Sequence, residues 1–408
     1  MRIIFRLVLS QVILILLCLP VKAQRNCGTA EYLQQLTINP STPNTPSGVQ
    51  RDTAANEVIT IPVVIHLLYK NAEQDISDAQ ILSQIEALNN DYRMLNADKI
   101  NTPFVFRSHA ADCQIMFCLA QVDPDGHHTK GIIRKHTNND YFIADDGMKY
   151  SGAGGDNAWD SKKYLNIWVC NMTGRMLGYS SIPGSAPDKD GVVINWDVFG
   201  TTGKLRASFN KGRTATHEIA HWLGLKHIWG DALCGDDGID DTPMQENYNF
   251  GCPSFPKTGL CSPNVNGEMF MNFMDFTDDG CMNMFTMGQK KKMRSLFALN
   301  GARNSFLNSF ACDSTLASGE AIGNTPVPVI NNIRVYPNPA HDMIHVDCTR
   351  DAIIGTTIKL YTMQGVELLN QTLHKNPNTI NLRYLPAGAY LLGTGEKDQR
   401  KTVKIIKY

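Results

Sequence analysis

One stretch of twelve residues limits this chain more than any other: Thr216-His217-Glu218-Ile219-Ala220-His221-Trp222-Leu223-Gly224-Leu225-Lys226-His227. His217 and His221 are four apart, so on a helix both rings leave the same face and can share one ion. Glu218 follows the first of them and stands beside such an ion rather than on it. His227 lies six beyond His221, out of reach if the helix continues. The chain must therefore turn sharply, and Gly224 can take the positive φ that such a turn needs. Three neutral imidazoles would leave one zinc ion an open fourth position for water. The ion would lower that water's pKa towards ~7 and polarise a carbonyl. Glu218 would take the water's proton and pass it to a leaving amine. The expected function is peptide-bond hydrolysis by a zinc-dependent endopeptidase acting on protein or peptide substrates.

The rest of the chain sets the context. Its 408 residues suggest two or three folded units. With 43 % apolar and 19 % charged residues it can bury a sizeable core. A formal charge of −1, with no long basic run, argues against nucleic acid as a partner. Arg2 and Arg6 precede an apolar stretch from Leu7 to Leu19, and Val21-Lys22-Ala23 ends it with small residues at the right positions. That is the form of a signal peptide over residues 1–23, too short to span a bilayer, and no later segment reads as transmembrane. A secreted protein is expected, extracellular or attached to the outer surface. Of eleven cysteines, Cys18 leaves with the signal and ten enter an oxidising compartment. Cys234, Cys252, Cys261 and Cys281 fall within 48 residues, and spacing alone permits three pairings of them.

Residues 24–51 are polar and rich in Pro, Thr and Asn, in keeping with a pro-segment, and Arg51-Asp52 offers a trypsin-like cut. A catalytic block is expected over 52–313. It begins with a buried strand around Ile59–Tyr69 and a helix from Ser77 to about Met94, whose stripe is Ile81, Leu82, Ile85, Leu88 and Tyr92. Strand-like runs follow at 114–122, 164–170 and 191–196, then helices near 214–225 and 286–299. This predicts an α/β (α+β) domain: a mixed sheet, a backing helix and an active-site helix. Residues 314–332 read as a linker. Residues 333–408 alternate short apolar strands with Gly, Pro and Asn turns, the pattern of an all-β sandwich.

The extended histidine motif resembles the metzincin signature. Asn272-Phe273-Met274-Asp275-Phe276-Thr277-Asp278-Asp279, His221-Trp222-Leu223-Gly224-Leu225 and Cys234-Gly235-Asp236-Asp237-Gly238-Ile239-Asp240-Asp241-Thr242-Pro243 resemble the pappalysin family of secreted zinc endopeptidases. The likeness runs from about Ile61 to Cys312 and is nearest to the smaller prokaryotic members. It implies a Met-turn at Met274, beneath the three histidines. It implies disulfides Cys234–Cys261 and Cys252–Cys281. Asp279 would line the pocket for the residue after the cut bond, favouring Arg or Lys by charge-assisted hydrogen bonding. The family usually has Tyr at the position of Phe276. Phe lacks the hydroxyl aimed at the oxyanion, a loss worth about 10²–10³ in rate where that donor is essential. Arg25-Asn26-Cys27-Gly28-Thr29 resembles the family's cysteine switch, which makes Cys27 the latency ligand of a zymogen.

Five aspartates crowd one loop: Asp231, Asp236, Asp237, Asp240 and Asp241. With Thr242 they suit one or two structural Ca²⁺ ions, which family relatives bind nearby. Val335-Tyr336-Pro337-Asn338-Pro339-Ala340, Leu385-Pro386-Ala387-Gly388-Ala389-Tyr390 and the final Lys404-Ile405-Ile406-Lys407-Tyr408 resemble type IX secretion sorting domains of Bacteroidetes. They imply the type IX machinery as a partner. Two rivals use the same residues differently. One is an adhesion or carbohydrate-binding protein with a vestigial zinc site, and the other is a zinc toxin acting on a single protein.

Overall fold

A computed structural model describes residues 25–35, 58–261, 266–309, 311–313, 333–338, 340–348, 357–363, 365–372, 378–394 and 401–407. The signal peptide, the Arg51-Asp52 cut and the linker expected over 314–332 lie outside the described residues. The chain forms two compact units: described residues up to Ala120 with Thr129–Cys312, and Gln121–His128 with the described residues from Asp313 on.

The first unit is built on β1 (Ile59–Tyr69), eleven residues long. It pairs in parallel with β2 (Ile115–Leu119) through its first half, with β3 (Ile132–His136) through its second, and with β4 (Leu165–Cys170) along its other side. Beyond β4 lies parallel β6 (Gly191–Asn195), and antiparallel β5 (Gly178–Ser180) forms the edge. The period of two sorts the side chains. Ile59, Ile61, Val63, Ile65 and Leu67 of β1 enter the main core with Ile167, Val169, Val192 and Ile194. Leu68, Trp168, Cys170, Tyr179 and Val193 point to the opposite face and form a second core. The fold is therefore a mixed α/β sheet with helices.

Helix α1 (Thr29–Gln35) belongs to the N-terminal segment and α2 (Asp78–Tyr92) backs the sheet. α2 starts where Ser77 accepts a hydrogen bond from the Gln80 N–H, 3.2 Å. Its stripe is one residue narrower than the sequence suggests: Leu82 is 55 % exposed, one position off the buried face. Helix α3 (Arg213–Trp222) packs on β5, β6 and α2, and α4 (Met287–Ser295) opens with a Thr286/Gln289 capping box. α3 ends three residues before the expected Leu225. Gly224 has φ +82°, and the Gly224 and Leu225 N–H groups bond back to the His221 and Ala220 carbonyls. β3 and the three-residue β5 carry no alternation that separates them from loops, and the sequence reading passed over both.

Disulfides join Cys234 to Cys261, Cys252 to Cys281 and Cys118 to Cys312, while Cys27, Cys113 and Cys170 are free and buried. Cys113 and Cys170 behave as small core apolar groups whose burial pushes both thiols up. Among its described residues the second unit has seven antiparallel strands in two sheets, β7 (Ile333–Tyr336), β8 (Met343–Cys348) and β11 (Asn378–Asn381) against β9 (Thr357–Thr362), β10 (Glu367–Thr372), β12 (Gly388–Thr394) and β13 (Lys401–Lys407). Val335, Ile344, Val346 and Ile380 of one sheet share a core with Ile358, Leu360, Leu392, Val403 and Ile405 of the other.

The Cys118–Cys312 bridge closes a loop of 194 residues, so it strongly restricts the unfolded chain. Cys118→Ser is expected to lower the urea-unfolding free energy of the first unit by about 2–5 kcal/mol, read from the shift of its denaturation midpoint.

Candidate active site

All ten residues of α3 are buried, including His217, Glu218 and His221. Two ion networks hold the helix at its ends. At the N-terminus Arg213 donates to Asp98 Oδ1 and Oδ2, both 2.7 Å, to Asp91 Oδ1 at 3.3 Å and to the Asp279 carbonyl at 2.5 Å. Asp279 Oδ2 accepts from the Lys211 and Arg213 N–H groups at 2.8 and 3.3 Å, where a helix N-terminus favours an anion. At the C-terminus the Trp222 indole donates to Asp190, 2.9 Å, which pairs with the buried Arg303 lying 3.8 Å over the Trp222 ring.

The turn at Gly224 brings His227 back to the other two histidines. His221 Nε2 lies 3.2 Å from His217 Nε2 and 3.0 Å from His227 Nε2. The opposite nitrogens settle the tautomers. His217 Nδ1–H donates to the Phe273 carbonyl at 2.7 Å, His221 Nδ1–H to the Leu225 carbonyl at 2.8 Å, and His227 Nδ1–H to the Asp231 carboxylate. A carbonyl only accepts, so His217 and His221, if neutral, face each other with bare Nε2 lone pairs. Burial and the neighbouring imidazoles disfavour the charged forms, holding His217 well below its usual range and His221 down to about 3. Converging acceptors with no donor between them are a cation site in form. Tetrahedral zinc ligands at ~2.0–2.1 Å would stand roughly 3.3 Å apart, near the spacing here.

Cys27 closes the group. Its Sγ and one nitrogen of each histidine all lie within 4.8 Å of one another, and all four residues are buried. The N-terminal segment reaches this place as an added strand on the β5 edge. Gly28 N–H donates to the Gly178 carbonyl and Leu177 N–H to the Asn26 carbonyl, both 2.9 Å. A Cβ at Gly178 would stand 3.1 Å from Glu218 Cγ, so only Gly lets this edge run so near the carboxylate. Glu218 Oε2 accepts from Cys27 Sγ at 3.4 Å and Thr29 Oγ1 at 2.9 Å. Burial pushes Glu218 up to about 7 against these donors. Burial and the Glu218 charge push the Cys27 thiol well above its ordinary range, so a thiolate there needs a cation's charge beside it.

Asp279 is fully buried, and Arg25 pairs with its Oδ1. Arg25 also donates to Thr214 Oγ1 and the Thr277 carbonyl, both 3.2 Å. Met274 is fully buried in a turn that Asn272 Oδ1 fixes by accepting the Met274 N–H at 2.9 Å. Phe276 packs on His227 and His217, centroids 4.9 and 5.8 Å away. Sequence reasoning missed Trp229, stacked on His227 at 4.3 Å. It also missed Thr29 as a hydrogen-bond donor to Glu218. Asp231, counted with the loop carboxylates, holds His227 instead. Asp241 accepts from Thr286 Oγ1 at 2.6 Å and Gly288 N–H at 2.8 Å, and Asp237 Oδ1 from Thr242 Oγ1 at 2.7 Å. Asp236 and Asp240 stay at the surface. Among the described residues these aspartates do not gather as three within 4.8 Å.

A helix bearing two of three clustered histidines, a carboxylate beside them and a sheet edge that pairs with an extended segment define a metal-dependent peptidase. Residues 149–298 match the family described as Pregnancy-associated plasma protein-A, and 334–408 match the secretion system C-terminal sorting domain. The chain belongs to that pappalysin-type peptidase family and is an exported metalloendopeptidase. An extracellular metalloprotease of Arthroderma benhamiae is 30 % identical over 308 residues, 70 % of this chain and 88 % of that protein. Tannerella forsythia mature mirolysin in complex with a cleaved peptide is 49 % identical with TM-score 0.62, covering 64 % of this chain and 99 % of that one. A T. forsythia promirolysin mutant is 48 % identical with TM-score 0.62, covering 65 % and 88 %. Among the described residues no helix is long and apolar enough to cross a membrane.

The Arg213 network gives the site a signature in acid. Burial alone would raise the Asp98 carboxyl, but the hydrogen bonds and charge of Arg213 overcome it and hold Asp98 well below the usual range. A carboxyl depressed in the folded state contributes stability above its unfolded pKa near ~3.9, lost as pH falls towards its folded value. Asp98→Asn is expected to cost about 1–3 kcal/mol at neutral pH. The difference from wild type should shrink below about pH 4, as measured by urea midpoints from pH 2 to 7.

Proposed function

We propose that the chain is a zinc endopeptidase made as a zymogen, with His217, His221 and His227 as ligands of one catalytic ion. The observation that carries this is the convergence of their Nε2 atoms, with Cys27 Sγ and one nitrogen of each histidine all within 4.8 Å of one another. The ion supplies Lewis acidity towards water and the scissile carbonyl. Glu218 takes a proton from the attacking water and delivers it to the leaving amine. Its place supports the task, since Glu218 directly follows the ligand His217 on the buried helix α3. Met274 forms the floor beneath the histidines, and Phe276 walls them without offering a hydroxyl. Asp279 binds Arg or Lys after the cut bond; its pairing with Arg25 of the chain's own N-terminal segment supports this reading.

In this reading residues 24–51 are a pro-segment after a signal over 1–23, and Cys27 is its latency ligand. The likeness to a promirolysin of T. forsythia supports that assignment. Residues 314–332 link the peptidase block of 52–313 to a sorting domain over 333–408 read by the type IX machinery. Matured enzyme given a peptide library should carry one zinc per chain and cut before Arg or Lys. A zinc chelator should abolish cleavage, and Glu218→Ala should slow it by about 10²–10⁴. A metal-free active enzyme, or cuts only before apolar residues, would overturn the assignment.

Calcium rests on a narrower observation. Asp237 Oδ2 is buried without a partner, and burial pushes this carboxyl up to about 6. A cation at the Asp236–Asp240 turn would relieve both effects. Adding a calcium-selective chelator is expected to lower the melting temperature by a few degrees, and re-added Ca²⁺ to restore it; an unchanged melting curve counts against the ion.

A further inference from the structure

The pro-segment makes a third contact that the latency chemistry does not need. Tyr32, on α1, is 98 % buried on the opposite face of the sheet from Glu218. Its hydroxyl donates to Asp146 Oδ2, 2.8 Å, and its ring lies 4.7 Å from that of Tyr179. Lys149 Nζ sits 5.2 Å from the Tyr32 ring centroid, 5.0 Å from that of Tyr179 and 5.4 Å from that of Trp168. This socket is complete without Tyr32. Asp146 keeps Lys149 at 2.8 Å, Lys189 at 3.3 Å and the Tyr179 hydroxyl at 3.1 Å. Lys149 also donates to the Lys189 carbonyl at 2.8 Å.

We propose that the socket of Asp146, Lys149 and Tyr179, once Tyr32 has left it, is a substrate subsite for an aromatic side chain, above all tyrosine, on the N-terminal side of the cut bond. The edge strand dictates the geometry. A peptide laid along β5 presents alternate side chains to the two faces of the sheet. Cys27 and Thr29 point to the Glu218 face. A Cβ built on Gly28, between them, would stand 2.8 and 2.9 Å from the Met176 Cε and Sδ and 3.5 Å from Tyr179 Cβ. A substrate side chain at that place on the edge therefore displaces the flexible end of Met176 and enters along Tyr179. The segment runs parallel to β5, with Arg25 on one side of Cys27 and Tyr32 on the other. If Asp279 takes the residue after the cut bond, as proposed above, a substrate runs the opposite way along the edge and the socket serves residues before that bond. From Cys27 through two extended residues and three helical ones the rise is about 11 Å, the span of roughly three residues of extended peptide. The chemistry selects the ligand: an apolar ring under a cation, with a carboxylate oxygen placed for a phenol.

The test uses matured full-length enzyme and peptides with Arg after the cut bond, scanning Tyr, Phe and Ala through the four preceding positions. At one of them kcat/KM should favour Tyr over Ala by about tenfold or more, with Phe between. Tyr179→Leu should reduce that preference while leaving the Arg preference in place. Because the substrate scan needs no variant, a misfolded Tyr179→Leu leaves the test intact. Equal rates with Tyr and Ala at all four positions, with Arg still required, would overturn the subsite alone. Loss of the Arg requirement would overturn the Asp279 assignment instead. A synthetic 25–35 peptide that inhibits about equally with Tyr32→Ala would also count against the socket.

Discussion

The site depends on where the Nδ1 protons go. Each histidine donates Nδ1–H to an acceptor from a different part of the chain: the Phe273 carbonyl, the Leu225 carbonyl just past the helix, and the Asp231 carboxylate. These bonds aim three Nε2 lone pairs at one point and fix each ring's rotation. Without a cation, the lone pairs repel in a buried place that offers no compensating donor. The surrounding fold serves this arrangement. The Met274 turn presents the Phe273 carbonyl, Gly224 turns the chain at the end of α3, and the Asp91, Asp98 and Asp190 networks keep the helix from shifting. Small displacements would spoil it, since orientation of a ligand by its outer partner is a large part of a metal site's affinity.

How far this was legible in the sequence follows from how local each determinant is. The histidine spacing, the role of Gly224 and the position of Ser77 as a cap each depend on a few adjacent residues, and each could be read. The buried strand β1 could be read as well, because its eleven residues form one largely apolar, β-branched run. Leu82 could not be excluded from the α2 face, since its neighbours Ile81 and Ile85 share its chemistry and only packing separates them. β5 has three residues and no pattern, yet it is the edge against which the N-terminal segment lies. The Cys118–Cys312 pair, and the freedom of Cys113 and Cys170, depend on contacts far apart in sequence that no spacing rule contains. Asp231 shows the same limit in another form. Among five aspartates nothing local marks the one whose carboxylate pairs with His227.

The N-terminal segment joins these levels. Arg25, Cys27 and Tyr32 are a cation, a thiol and a phenol, spread over eight residues and held by three unlike surroundings. Extended pairing with β5 sets the spacing of the first two, and the short helix α1 sets that of the third. Glu218 gains two donors from this segment, Cys27 Sγ and Thr29 Oγ1, so the carboxylate beside the histidines is occupied along with them.

Such dispersed contacts have a thermodynamic consequence. A single contact of this kind contributes modestly, and as a free peptide the segment would also have to lose its translational freedom to bind. While joined to the chain it binds intramolecularly, at the effective concentration its tether imposes. In the reading proposed above, one cut between segment and peptidase removes that advantage from all three contacts together, without altering any of them. The sites left behind carry the opposite charge or complementary shape of what they held. An anionic pocket, a trio of nitrogen lone pairs and a cation over aromatic rings then face whatever extended chain next pairs with the β5 edge. Latency and recognition would draw on the same surfaces, and the features that hold the segment in place are those by which a substrate would be chosen.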